Sequence, residues 1–325
     1  MKLFSSRRRE FSVPLGTSPL WGYAQEAPDK YPSKPIRLIV PNGASSSTDT
    51  NARLFAKEAS VALGQPFVIE NKAGAAGNIG SEYVARSAPD GYTVLYGFNS
   101  IPTISPHIYK KLTYDFNADL MPVTQLYVGS YVLAVNNSLP IKNFEDFVDF
   151  AKKNPGVISY GTDGTGTVSN LCGEMISSTL GIKLTHIPYK ETPVVDLISG
   201  NLQALIGPLT TIQEYVRRGQ MRGILSTRTT PIPALPQVQL LPTFLPGVSV
   251  AGWQAIFVPK NTPSPIISRL QMAFKHALNS PEVVARIKMV DGEGVGGTPQ
   301  QLTEIISREN RQWRDLILKI GLKID

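Results

Sequence analysis

A chain of 325 residues with 42% hydrophobic and 18% charged residues holds material for about two domains with sizeable cores, which excludes a disordered or fibrous protein. The net charge is +7; Lys2, Arg7, Arg8 and Arg9 against Glu10 supply +3 of it within the first 24 residues, and the remaining +4 forms no basic stripe with interleaved aromatics, so nucleic acid is not an expected partner. The single Cys172 excludes an internal disulfide, and His107, His186 and His276 have no ligand spacing, so neither a metal nor another cofactor is expected.

Residues 1–30 read as an export signal or a disordered N-terminus. Arg8-Arg9-x-Phe11 has the twin-arginine pattern and Gly22-Tyr23-Ala24 offers a small-residue cleavage site, whereas Pro14, Gly16 and Pro19 interrupt the apolar core such a signal uses. Nothing further on has 18 consecutive apolar residues, so no membrane-spanning helix is predicted.

The run Ile36, Leu38, Ile39, Val40 predicts a buried strand that breaks at Pro41-Asn42-Gly43 into a small, hydroxylated loop. Ser47 or Thr48 then caps a helix whose apolar positions Ala52, Phe55, Ala56, Ala59 and Leu63 recur at helical spacing until Gly64 stops it. Free N–H groups at that helix start make an anion site, to which Ser46, Ser47 and Thr48 add hydroxyl donors; an ordinary capped loop is the alternative. A strand over 67–69 leads into the glycine loop 73–80, whose G-x-x-G-x-x-G spacing is not the dinucleotide fingerprint but lets a ligand approach the backbone. A short helix to residue 87 and a strand over 92–97 follow, and the polar loop Phe98-Asn99-Ser100 ends that strand in the same manner.

The pattern then repeats. Residues 131–135 read as a strand, 143–153 as an amphipathic helix and 157–160 as a strand entering Gly161-Thr162-Asp163-Gly164-Thr165-Gly166-Thr167, with a helix over 168–180 stopped by Gly181. Cys172 shares its apolar face with Val168, Leu171 and Met175 and reads as core. Strands over 184–187, 204–206 and 223–226 alternate with helices over 193–199 and 212–218. Five prolines make 229–246 a long surface connection, 253–258 is a further strand, and helices over 265–279, 281–289 and 299–320 are expected to return to the first domain. The fold class is therefore α/β, built of two lobes, 31–131 with 253–325 and 132–252, each a mainly parallel sheet flanked by helices, with ligands collecting beyond the carboxyl ends of strands.

At this point the residues match a family. YPSKPIRLIVP, STD, LGQPFVIENKAGAAGNIGSEYVARSAPDGYT, YKKLTYD, ISYGTDGTGTVSNLCGE, HIPYK and GVGGTPQQL occur in an order that resembles the solute-binding receptors of tripartite tricarboxylate transporters, the Bug receptors, from about Tyr31 onward. The resemblance implies a two-lobed periplasmic-binding-protein fold of Venus-flytrap form, a periplasmic location, a small organic carboxylate as ligand, membrane permease subunits as partners and a monomeric receptor. It further implies carboxylate contacts from Ser47, Thr48 and Asp49, from Gly77 and Asn78, and from Thr165, Gly166, Thr167 and Ser169. Ser46, Asn99 and Tyr189 complete the candidate ligand-binding set, as loop residues at the same strand ends. Two departures stand out: Asn42-Gly43-Ala44-Ser45-Ser46-Ser47 replaces the family's glycine-rich first loop, and Gly207-Pro208 stands where many relatives end the strand in aspartate. The second departure favours a ligand without an ammonium group, such as a dicarboxylate or an aromatic acid.

Two other functions compete with transport. A receptor that signals to a sensor shares every feature above. An enzyme acting on a carboxylic acid would need a nucleophile beside a base, yet there is no Gly-x-Ser-x-Gly elbow and no histidine in the candidate loops, His186 being the one histidine at a strand end; no catalytic residue is assigned.

Overall fold

The computed structural model describes residues 30–190, 193–246, 248, 250–289 and 292–323; the export signal expected within 1–30 falls almost wholly outside them. The chain runs through β1 (Ile36–Val40), α1 (Ser47–Leu63), β2 (Phe67–Asn71), α2 (Asn78–Ala85), β3 (Thr93–Phe98), the short helices α3 (Ser100–Thr103), α4 (Ser105–Ile108) and α5 (Phe116–Asp119), and β4 (Leu120–Gly129). There follow β5 (Tyr131–Val135), α6 (Phe144–Lys153), β6 (Ser159–Thr162), α7 (Val168–Leu180), β7 (Thr185–Pro188), α8 (Val194–Ser199), β8 (Ala204–Pro208), α9 (Leu209–Arg217), β9 (Arg222–Ser226), β10 (Gln239–Leu240) and α10 (Leu241–Phe244). The last elements are β11 (Gly252–Pro259), α11 (Ser264–Leu278), α12 (Pro281–Met289), β12 (Glu293–Gly294) and α13 (Pro299–Ile320).

The strands form two six-stranded sheets, ordered β12-β4-β11-β3-β1-β2 and β10-β9-β5-β8-β6-β7. Both are mixed where mainly parallel sheets were expected. In the first, β1 pairs in parallel with β2 and β3, but β11 runs antiparallel to β3 and β4, and β12 to β4. In the second, β6 is parallel to β7 and β8, and β10 to β9, while β5 runs against both β8 and β9. Connectivity explains the reversed central strands. Through β5 the chain enters the second sheet from the first, and through β11 it returns; each starts at the edge where its neighbours end and must run the other way.

Side-chain alternation covers both faces of each sheet. In β1, Ile36, Leu38 and Val40 meet Phe55 and Ala59 of α1 and Leu270 and Phe274 of α11, whereas Ile39 points to the opposite face with Val84, Leu302 and Ile306. In β5, Leu133 and Val135 join Phe144, Leu171 and Met175, while Val132 and Ala134 join Leu197, Ile212 and Val216. Burying each such aliphatic or aromatic side chain contributes about 1.5–3 kcal/mol, so each sheet carries its own core.

Three features differ from the sequence reading. The ten-residue β4 was not predicted, because Pro122, Thr124 and Gln125 break its apolar run; two register shifts against β11 accommodate them. Residues 229–246 are no surface connection, since Ile232, Leu235, Val238, Leu241 and Leu245 are all buried, recurring between the prolines as anchors to the second sheet's helices. Finally, α13 does not serve the first lobe alone. Its Leu302 and Ile306 pack beside Trp253 and Phe257, whereas Trp313 and Ile317 lie in the cluster of Leu171 and Met175, together with Ile104 and Ile108.

Candidate ligand-binding site

The register places the carboxyl ends of both sheets at the level of the two connections between them. Phe98, which ends β3, pairs with Gln254 near the start of β11, and Pro208, which ends β8, pairs with Tyr131 at the start of β5. Ser130 is the first connection; its carbonyl accepts from the Leu209 N–H at 2.9 Å, and Tyr131 N–H donates to Thr227 Oγ1 at 2.9 Å. At the second connection Asn99 Nδ2 donates to the Ala251 carbonyl at 2.7 Å and Trp253 Nε1–H donates to both Glu309 carboxylate oxygens at 3.0 and 2.9 Å. The Tyr131 ring faces Gly252, where a Cβ would come within 3.0 Å of it, so the two connections touch. Burial raises the Glu309 carboxyl to about 7, against the opposing pull of Trp253, Arg308 and Asn99.

In the first lobe, Ser46 is the N-cap of α1, one residue before either sequence candidate, and its hydroxyl accepts from Asp49 N–H at 3.1 Å. Ser47 opens the helix and Thr48 Oγ1 accepts from Asn42 Nδ2 at 3.0 Å. Asp49 is 2% exposed and its carboxylate is fully engaged, by Ser45 N–H at 2.9 Å, Arg53 Nε at 2.9 Å and Asn71 Nδ2 at 2.8 Å. Burial alone would raise its pKa, but those hydrogen bonds outweigh it and hold the carboxyl below its ordinary value. Asp49 therefore locks the loop to β2. Gly77, in the left-handed region at φ 91, sits so close to Phe98 that a Cβ would come within 2.8 Å of the ring, and Gly80 is equally close to Pro41 at 2.9 Å. The loops after β1, β2 and β3 are thus packed together. Asn78 is used internally as well, donating to Ala75 carbonyl and Ser105 Oγ and accepting from Tyr114 at 2.8 Å, and Asn99 ties β3 to the second connection.

In the second lobe, Thr167 caps α7 and donates to the Gly164 carbonyl at 2.8 Å, Gly166 N–H donates to Asn170 Oδ1 at 3.0 Å, and Ser169 donates to the Asp163 carboxylate. Tyr189 N–H donates to Thr162 carbonyl at 3.0 Å, holding β7's exit beside β6's, and its hydroxyl donates to Asp196 at 2.8 Å. Ser47 and Thr165 make no side-chain hydrogen bond to a described residue, and Ser46 and Thr48, acting as acceptors, each keep a proton to donate.

The structure thus sorts the twelve candidates into a first-lobe group (Ser46, Ser47, Thr48, Asp49, Gly77, Asn78, Asn99) and a second-lobe group (Thr165, Gly166, Thr167, Ser169, Tyr189), each gathered at its own strand ends. Sequence reasoning passed over Asp163, an acid among hydroxyls whose charge was the signal to follow. It also passed over Ser130 and Tyr131, which only the strand pairing places beside the end of β8. For hydrolytic chemistry the geometry is unsuitable. His186 Nε2 lies 2.7 Å from Thr162 Oγ1, but that hydroxyl is 0% exposed and burial drops the imidazole to about 4; the Cys172 thiol is likewise buried and pushed up to about 12. Among the described residues no cluster of histidine, cysteine or acidic side chains could hold a metal, and no helix is long and apolar enough to cross a membrane.

Comparison with known proteins agrees with this architecture. Residues 51–322 match the model of the tripartite tricarboxylate transporter family receptor. Among solved structures, the periplasmic binding protein BugD is 29% identical with a TM-score of 0.82, the match covering 90% of this chain and 99% of that one. A protein of R. palustris solved with adipate is 28% identical with a TM-score of 0.83, covering 90% and 99%. MatC from Rhodopseudomonas palustris, solved with malate, is 26% identical with a TM-score of 0.81, covering 88% and 100%. With the family matched over most of its length and the two-lobed fold shared, this chain belongs to the tripartite tricarboxylate transporter receptor family, the Bug type of periplasmic solute-binding receptor.

Proposed function

We propose that this chain is an exported receptor that closes on a small carboxylate between two lobes, one built on each sheet with α13 packed against both, and delivers it to membrane permease subunits. One observation carries the reading: α1 and α7 both start at the carboxyl end of a strand, behind a small-residue loop, on the two sides of one pair of connections. Helix starts present N–H groups and positive dipole ends, and neither one alone surrounds an anion. Ligand contacts then fall to the backbone of both loops and to the hydroxyls with a proton to donate, those of Ser46, Ser47, Thr48 and Thr165, each charge-assisted bond contributing about 1.5–3 kcal/mol. Asp49, Asn78, Asn99, Thr167 and Ser169 act one step back, by fixing those loops. Adipate and malate in two relatives support the ligand class, and the family supports the permease partner.

Closure is a rotation about Ser130 and residues 250–251, favoured by contacts the second lobe gains only with ligand present. Small-angle scattering on the protein alone and with whichever of adipate, malate or related acids raises its melting temperature tests this. Compaction is expected; an unchanged radius of gyration with a ligand shown to be bound removes the closing mechanism.

A further inference from the structure

Glu309, on α13, is a carboxylate held where the two connections meet. Both of its oxygens accept from the Trp253 indole, at 3.0 and 2.9 Å, and the Asn99 side chain donates to it as well. Asn99 in turn grips the second connection twice: its side chain donates to the Ala251 carbonyl at 2.7 Å and its backbone N–H to the Trp253 carbonyl at 3.2 Å. The Glu309 charge also acts on Tyr131, whose ring lies against Gly252, so the same acid reaches the first connection. Through Asn99 it is joined to the turn that ends β3, one of the strand ends at which the first-lobe loops gather.

Its surroundings compensate that charge weakly. The cation acting on it is Arg308, exposed on the same helix, and burial outweighs that pull together with both hydrogen bonds. Around it, β11 presents the neutral Trp253 indole, the turn after β3 the Asn99 amide, β5 the Tyr131 phenol, which burial keeps protonated, and α4 His107, whose ring meets the adjoining Asn310 at 3.0 Å. Tyr127 of β4 and Asp163 after β6 act on Tyr131 in turn. The ligand loops stand at the level of these connections, so a captured carboxylate and an ionised Glu309 are like charges within the protein, where they repel more strongly than in water. A neutral Glu309 removes that repulsion. We infer that Glu309 is a positioning residue that links capture to proton uptake, so that the receptor holds its carboxylate more tightly with Glu309 neutral than with it ionised. The inference rests on the receptor reading above. By reciprocity, bound ligand makes Glu309 harder to ionise.

Titration calorimetry tests it, with whichever of adipate, malate or glutarate binds, in two buffers of different ionisation enthalpy between about pH 6.5 and 8.5, above the ordinary carboxylate range of the ligands themselves. A coupling of about five-fold would make the dissociation constant roughly three-fold smaller at the acid end of that range, with part of a proton taken up on binding near pH 7. Glu309→Gln keeps an oxygen for the Trp253 N–H but has no proton to exchange. It should bind with one affinity throughout, close to that of the unaltered protein at the acid end, and take up little or no proton. Arg308→Gln removes the cation that favours ionisation and should move the pH of strongest uptake upward. Binding by the unaltered protein that neither varies with pH nor takes up a proton would overturn the linkage and leave the receptor standing. Uptake undiminished in a folded Glu309→Gln variant would overturn the role of Glu309; should that variant not fold, an uptake maximum that Arg308→Gln leaves in place does the same. Binding by none of these acids would remove the receptor reading itself.

Discussion

Glu309 couples the stability of the second connection to pH. Its carboxylate accepts from the Trp253 indole at the start of β11, and burial raises its pKa from 4.5 to about 7. A raised acid binds its proton more tightly in the folded chain than in the unfolded one. Stability from this group is therefore fully present below about pH 4.5 and is lost as pH rises toward 7. At about 1.36 kcal/mol per unit, the loss on full ionisation is roughly 3 kcal/mol. Glu309→Gln keeps an oxygen for the Trp253 N–H but has no proton to release, so its contribution does not vary with pH. Relative to the unaltered protein, the variant should gain roughly 3 kcal/mol between pH 4.5 and pH 8, a relative rise of about 6 °C in melting temperature for a chain of this size. Circular dichroism melts of both proteins across that range measure the difference and cancel every other titrating group. A melting-temperature difference that stays constant with pH would refute the argument, because it would mean that Glu309 ionises as easily in the folded chain as in water.

Two further substitutions test the loop-fixing roles. Thr167→Val removes the N-cap of α7 and the bond to Gly164, so the melt should show a loss of about 1 kcal/mol. The family resemblance implied a direct carboxylate contact for Thr167 instead. Asp49→Asn keeps the shape but removes a carboxylate held below its ordinary value; that stabilisation is present above the unfolded pKa and lost as pH falls through the folded one. Urea unfolding should thus show the variant weaker at pH 7 by an amount that shrinks as pH falls below the ordinary carboxylate range, whereas a deficit that does not change with pH would assign the loss to packing.

The contrast between these residues shows what the sequence discloses. Helix ends are local signals: Gly64 and Gly181 each stop a helix in the left-handed conformation, and each was legible because few other residues adopt it. Strand positions in both parallel runs were equally legible from apolar runs bounded by turns, but β4 was not, since a strand buried between β11 and β12 needs no alternation that survives Pro122 and Gln125. Side-chain roles were the least legible. Asp49 meets Asn71, Asn78 meets Tyr114 and Asn99 meets Ala251, partners 22, 36 and 152 residues away, and no pattern in a single sequence announces such pairs.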